Sequence, residues 1–173
     1  MPKLTGYAVR WGEPSVDLGG FTEIFRQGAF TRSLRESGDI FFLNAHRDNE
    51  LLGSRQAGTL RLTEDATGLR FELDTPATSL GRDVSELVRT SVLRNMSFGF
   101  RIPRASGEHW SEGSDGLLWR EVLDADLLEV STTQWPAYPT TSITARRSDP
   151  SGPSAAVRRA GMKRRLFEAK VAA

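Results

Sequence analysis

Apolar and polar positions along the chain fall into short blocks of two-residue rhythm, broken often by glycine. Over residues 4–11, Tyr7, Val9 and Trp11 share one side of an extended chain, and Phe21-Thr22-Glu23-Ile24-Phe25 reads as a second strand. Past Gly28, Phe30 and Leu34 stand four apart, which predicts a short helix over 29–36 closed by Ser37-Gly38. The run Ile40-Phe41-Phe42-Leu43 predicts a buried strand that delivers Asn44, Ala45 and His46 where the chain turns polar. Residues 59–63 and 69–73 flank a polar turn closed by Gly68, a hairpin signal. Leu80, Val84, Leu87 and Val88 keep the spacing of an amphipathic helix, with Ser79 placed as its N-cap.

Residues 96–102 alternate and stop at Pro103. Residues 106–116 are polar and glycine-rich, which predicts a mobile loop. Two further strands are expected over 117–122 and 127–133, then a turn at 135–139. About seven short strands with two inserted helices predict a mainly β fold, a closed or nearly closed β-barrel with helices packed outside. From Arg146 the composition changes. Residues 147–154 have the make-up of a linker, and a basic stretch follows, so a domain over 1–145 with a linker and tail over 146–173 is expected.

Composition narrows the chemistry. The 173 residues allow one core of ordinary size. Lys and Arg number 23 against 22 Asp and Glu, so no strong field points to nucleic acid or to a membrane surface. No apolar run approaches the roughly 18 residues that span a bilayer, and the start lacks a signal-peptide pattern, so a cytosolic chain is expected. Cysteine is absent, which excludes a disulfide scaffold, a thiol nucleophile and a thiolate metal site. The two histidines, His46 and His109, are not spaced as metal ligands, and neither a metal nor a cofactor is expected.

An activated serine needs a hydroxyl, a base in reach and an acceptor that fixes the base's tautomer. His46 ends an apolar strand and has a rigid backbone to work from. His109 sits in the glycine-rich segment and would be held poorly. Ser97 lies in Met96-Ser97-Phe98-Gly99-Phe100, where Gly99 leaves room for a substrate backbone. The Gly-x-Ser-x-Gly elbow of the strand–turn–helix hydrolases is absent. Glu129 stands in a strand otherwise poor in charge and would want a partner. On pattern alone each of the three also suits an ordinary structural position.

Three segments together resemble the prohead protease family of tailed bacteriophages, which is related in fold to the herpesvirus maturation protease. They are Phe42-Leu43-Asn44-Ala45-His46 with the glycine-led hairpin after it, Asn95-Met96-Ser97-Phe98-Gly99-Phe100, and Leu127-Leu128-Glu129-Val130-Ser131 with Trp135-Pro136-Ala137-Tyr138-Pro139. They occur in the family's order, and the resemblance covers roughly residues 4–145, although residues 131–135 are more polar than is usual there. The resemblance implies a serine endopeptidase with Ser97 as nucleophile, His46 as base and Glu129 as the group that orients His46. It implies capsid or scaffold protein as substrate, self-cleavage in some members, association in pairs in related viral enzymes, and a location in the host bacterial cytoplasm inside the assembling prohead. Oxyanion donors stay open, with Arg101 and the backbone amides after Glu129 as candidates. The competing readings are a non-enzymatic capsid-assembly protein on the same fold and a hydrolase of another substrate class, such as an esterase.

Overall fold

The structure, a computed structural model, describes residues 2–146; of the linker and tail expected over 146–173, all but Arg146 lies outside the described residues. The first half contains β1 (Lys3–Arg10), β2 (Phe21–Phe25), α1 (Thr31–Glu36), β3 (Phe41–Asn44), β4 (Arg47–Ser54), β5 (Leu60–Glu64) and β6 (Gly68–Asp74). The second half contains α2 (Ser79–Arg89), β7 (Asn95–Arg101), β8 (Glu108–Glu112), β9 (Leu118–Val122), β10 (Asp126–Thr133) and β11 (Ser142–Arg146). The mainly β expectation holds. The barrel does not: the strands form three separate sheets, β11-β1-β6-β5, β4-β3-β10-β7 and β2-β9-β8, and none closes on itself. Closure would need the free edge of β7 to pair onward. Instead β7 runs beside β1 and β11 without a ladder; Ile143 N donates to the carbonyl of Arg94 and Met96 N to Thr141 Oγ1, both at 3.1 Å.

The strand count exceeds the expected number because some strands carry no apolar rhythm. β4 opens on Arg47-Asp48-Asn49-Glu50 and is held by its ladder to β3. β8 lies inside the segment expected to be a mobile loop, yet it pairs with β9 from Glu108↔Val122 to Glu112↔Leu118. Trp110 meets the Phe21 ring at 5.1 Å, and Arg120 Nε donates to Glu108 at 2.6 Å, so partners across the sheet order what the sequence alone does not.

Bulges change which side chains face inward. In β1 a register shift between Tyr7 and Val9 buries both Ala8 and Val9, so the strict alternation expected there fails. α2 starts one residue earlier than expected, with the Thr78 hydroxyl accepting from Gly81 N at 3.1 Å as N-cap in place of Ser79. Its Val84 and Val88 are buried, whereas Leu87 is exposed.

One core joins all three sheets. Its aromatic centre is Phe25, stacked on Phe30 at 5.3 Å and meeting Phe98 and Phe100 edge-on at 5.1 and 4.9 Å. Met96 and Phe98 anchor β7 from this side. By the two-residue period of a strand, Ser97 and Gly99 then face the other way.

A buried acid ties the β2-β9-β8 sheet to the core. Glu23 is 2% exposed; it accepts from the Tyr138 hydroxyl and, at 2.9 Å, from Arg120 Nη1. Burial raises its pKa above the usual carboxylate value, although the Tyr138 bond and the Arg120 charge oppose the rise. Removing one member leaves the others buried and unmatched. Glu23→Ala is expected to lower unfolding free energy by about 3–5 kcal/mol, read from urea denaturation.

Candidate active site

The turn between β3 and β4 is two residues long, with Asn44 paired to Arg47, and both central residues have positive φ: Ala45 at 52° and His46 at 58°. That backbone belongs to the tight hairpin turn usually filled by Asn-Gly, and it is costly for side chains beyond Gly, Asn and Asp. Neighbours hold it in place. Ala45 N donates to Thr132 O at 3.0 Å, His46 N reaches Ser131 Oγ at 3.3 Å, and the Thr132 hydroxyl donates to Asn44 Oδ1 at 2.6 Å. Asn44 Nδ2 in turn donates to Glu50, which also accepts from Arg47. The Asn-x-His pattern is thus a pinned turn. Its strain sits where His46 is displayed, as strained backbone at functional sites commonly does.

β10 is the strand everything else meets. It pairs in parallel with β3, Glu129↔Phe41 and Ser131↔Leu43, and antiparallel with β7, Glu129↔Gly99 and Ser131↔Ser97. Val130, Phe42, Met96 and Phe98 face the core, so Glu129, Ser131, Ser97 and Gly99 occupy the opposite face. On that face His46 Nδ1 lies 2.7 Å from Glu129 Oε1, and the Ser131 hydroxyl donates to Glu129 Oε2 at 2.5 Å. A carboxylate only accepts, so in the neutral ring this contact calls for the hydrogen on Nδ1 and leaves the lone pair on Nε2. Ser97 stands directly opposite Ser131, a pairing that sets Cβ atoms about 4.5–5.5 Å apart. The Ser97 hydroxyl and the His46 ring share this face without a hydrogen bond between them in this resting geometry. Such bonds often tighten only with substrate.

Glu129 at Nδ1 holds the His46 pKa above its ordinary value, against partial burial that pushes it down. The folded-state pKa is the higher one. The pairing therefore contributes stability that is complete below about 6.5 and is lost as pH rises through the folded-state value.

The chain's residues 1–152 match a family model described as caudovirus prohead serine protease. The chain belongs to that family. The comparison with curated proteins gives no match.

For a member of this serine peptidase family, the fold brings His46 and Glu129 into contact and sets Ser97 on the same sheet face. His109 is elsewhere, paired with Glu121 in the β2-β9-β8 sheet. Arg101 does not fit an oxyanion role beside Ser97. It lies four residues further along β7, about 13 Å away, and its Nε donates to Asp126 at 2.9 Å. The amides after Glu129 lie in β10, between two pairing strands, so the ladders on either side take them up. Among the described residues no group of three or more His, Asp or Glu side chains is arranged to hold a metal ion.

One participant escaped the sequence reading, and a second gains a partner in the fold. Ser131, fully buried, bridges the Glu129 carboxylate and the His46 amide; its only sequence signal is the spacing Glu-x-Ser on one strand face. Gly99 has a neighbour that the sequence did not show. A Cβ there would lie 2.8 Å from Glu129 Oε1, so the missing side chain makes room for the carboxylate. The colliding atoms belong to a flexible side chain, so Gly99→Ala should fold normally while turning Glu129 away from His46. Circular dichroism should stay native, and peptidase turnover is expected to fall by about tenfold or more, toward the loss seen when the orienting acid is removed.

Proposed function

We propose that the chain is a serine endopeptidase that cuts capsid or scaffold protein during prohead maturation, with Ser97, His46 and Glu129 as its catalytic residues. The observation that supports this most is the 2.7 Å contact of His46 Nδ1 with Glu129 on the sheet face that also displays Ser97. In this mechanism Nε2 removes the Ser97 proton as Oγ attacks the scissile carbonyl, then returns it to the leaving amine. Glu129 keeps the ring in the required tautomer and stabilises the imidazolium that forms. Ser131 donates to the second carboxylate oxygen, which favours the orientation of the acid toward the ring.

The assembling prohead is the compartment where this activity belongs, and self-cleavage within the segment after residue 146 is part of the same reading. Among the described residues no helix is long and apolar enough to cross a membrane. A purely scaffolding role gives no reason to hold an imidazole on a strained turn against a half-buried acid. A fluorophosphonate probe should label the wild type at Ser97, and labelling should vanish in Ser97→Ala and drop by about 10³-fold or more in His46→Ala. Coexpressed capsid protein should be cut by the wild type alone. Undiminished processing by Ser97→Ala overturns the assignment.

A further inference from the structure

A register shift in β10 supplies a feature that the proposed chemistry does not use. Between Leu127 and Glu129 the ladder to β7 skips a residue, so Leu128 has no partner there and is 47% exposed beside Glu129. Leu128 joins Phe41, Leu43 and Leu51 around a cleft of about 310 Å³, with Glu129 and Asp48 as its polar members. Phe41 is 39% and Leu51 48% exposed, so three large apolar side chains crowd at one spot of the site face. Leu43 is nearly buried yet stands outside the core cluster, on the row that runs from Ser97 through Ser131.

We infer that this cleft is a substrate subsite, which takes a large apolar side chain of the polypeptide being cut. The inference rests on the endopeptidase reading and adds the specificity of that same site. Continuity with the catalytic face is the argument: Glu129 belongs both to the cleft wall and to the His46 pair. The carboxylates of Asp48 and Glu129 disfavour an acidic occupant, while the apolar walls gain from covering aliphatic or aromatic surface. Distance fixes which substrate residue reaches it. The cleft walls on β10, β3 and β4 lie one, two and three strands from β7, which centres the cleft roughly 10 Å away at the spacing of a sheet. An extended substrate advances about 3.3 Å per residue, so the side chain lies about three or four residues from the scissile bond rather than next to it.

Cleavage of a synthetic library of random peptides by the full chain, with both fragments sequenced, tests this. Wild type should enrich Leu, Met or Phe at a position three or four residues from the cut. In the double variant Leu51→Ser/Leu128→Ser that enrichment should fall about tenfold, and Leu87→Ser, exposed on α2, should retain it. Cleavage without apolar enrichment, enrichment of basic residues there, or a preference unchanged in the double variant overturns the cleft assignment and leaves the peptidase standing. Fluorophosphonate labelling without any peptide cleavage also overturns it, because the named occupant is a peptide side chain. Absence of both labelling and cleavage overturns the hydrolase reading, and the cleft assignment with it.

Discussion

The Glu129 carboxylate is the group on which the arrangement depends. It accepts from the His46 ring on one oxygen and from the Ser131 hydroxyl on the other, and it stands on a strand paired on both sides. A charge in that position is tolerable only because both oxygens are matched. The match in turn fixes the ring, its tautomer and the direction of its free nitrogen. Around it the fold supplies two supports: a missing side chain at Gly99 and a strained turn at Ala45 and His46. Each costs local stability and gains position.

The supports draw on the core on the other side of the sheet. Phe98 and Met96 lock β7 by burying their side chains on the inner face, so Ser97 cannot rotate with its strand. Arg32 from α1 bonds Asp124 and Asp126 at the start of β10, and Arg101 adds a second contact to Asp126. The strand is thus held at its entry by ion pairs and along its length by two ladders. Rigid elements of this kind suit a site in which groups distant in sequence must meet within hydrogen-bond reach.

Much of this was legible in the chain, and the rest was not for identifiable reasons. β2, β5, β6, β7 and β10 stand within a residue or two of the apolar rhythm, because one face of each meets the core and the pattern records it. β8, Trp110 apart, and the first half of β4 are polar; their order comes from ladder partners that no local pattern encodes. The barrel expectation failed because strand count and length do not say which edges meet. His46, Ser97 and Glu129 were singled out through short motifs, and the pairing of His46 with Glu129 could be expected from chemistry. Ser131 could not, since its part arises from the register of β10 against β7 and β3; Gly99 was legible as room for a substrate backbone, whereas the Glu129 carboxylate beside it follows from the register alone.

The most direct test of the central pairing is nitrogen NMR of the His46 ring across a pH titration, in the wild type and in Glu129→Gln. The account predicts hydrogen on Nδ1 and a bare Nε2 in the neutral form, with a wild-type pKa above about 6.5 that falls in the variant. A neutral ring protonated on Nε2, or a pKa indifferent to the loss of the Glu129 charge, would contradict it.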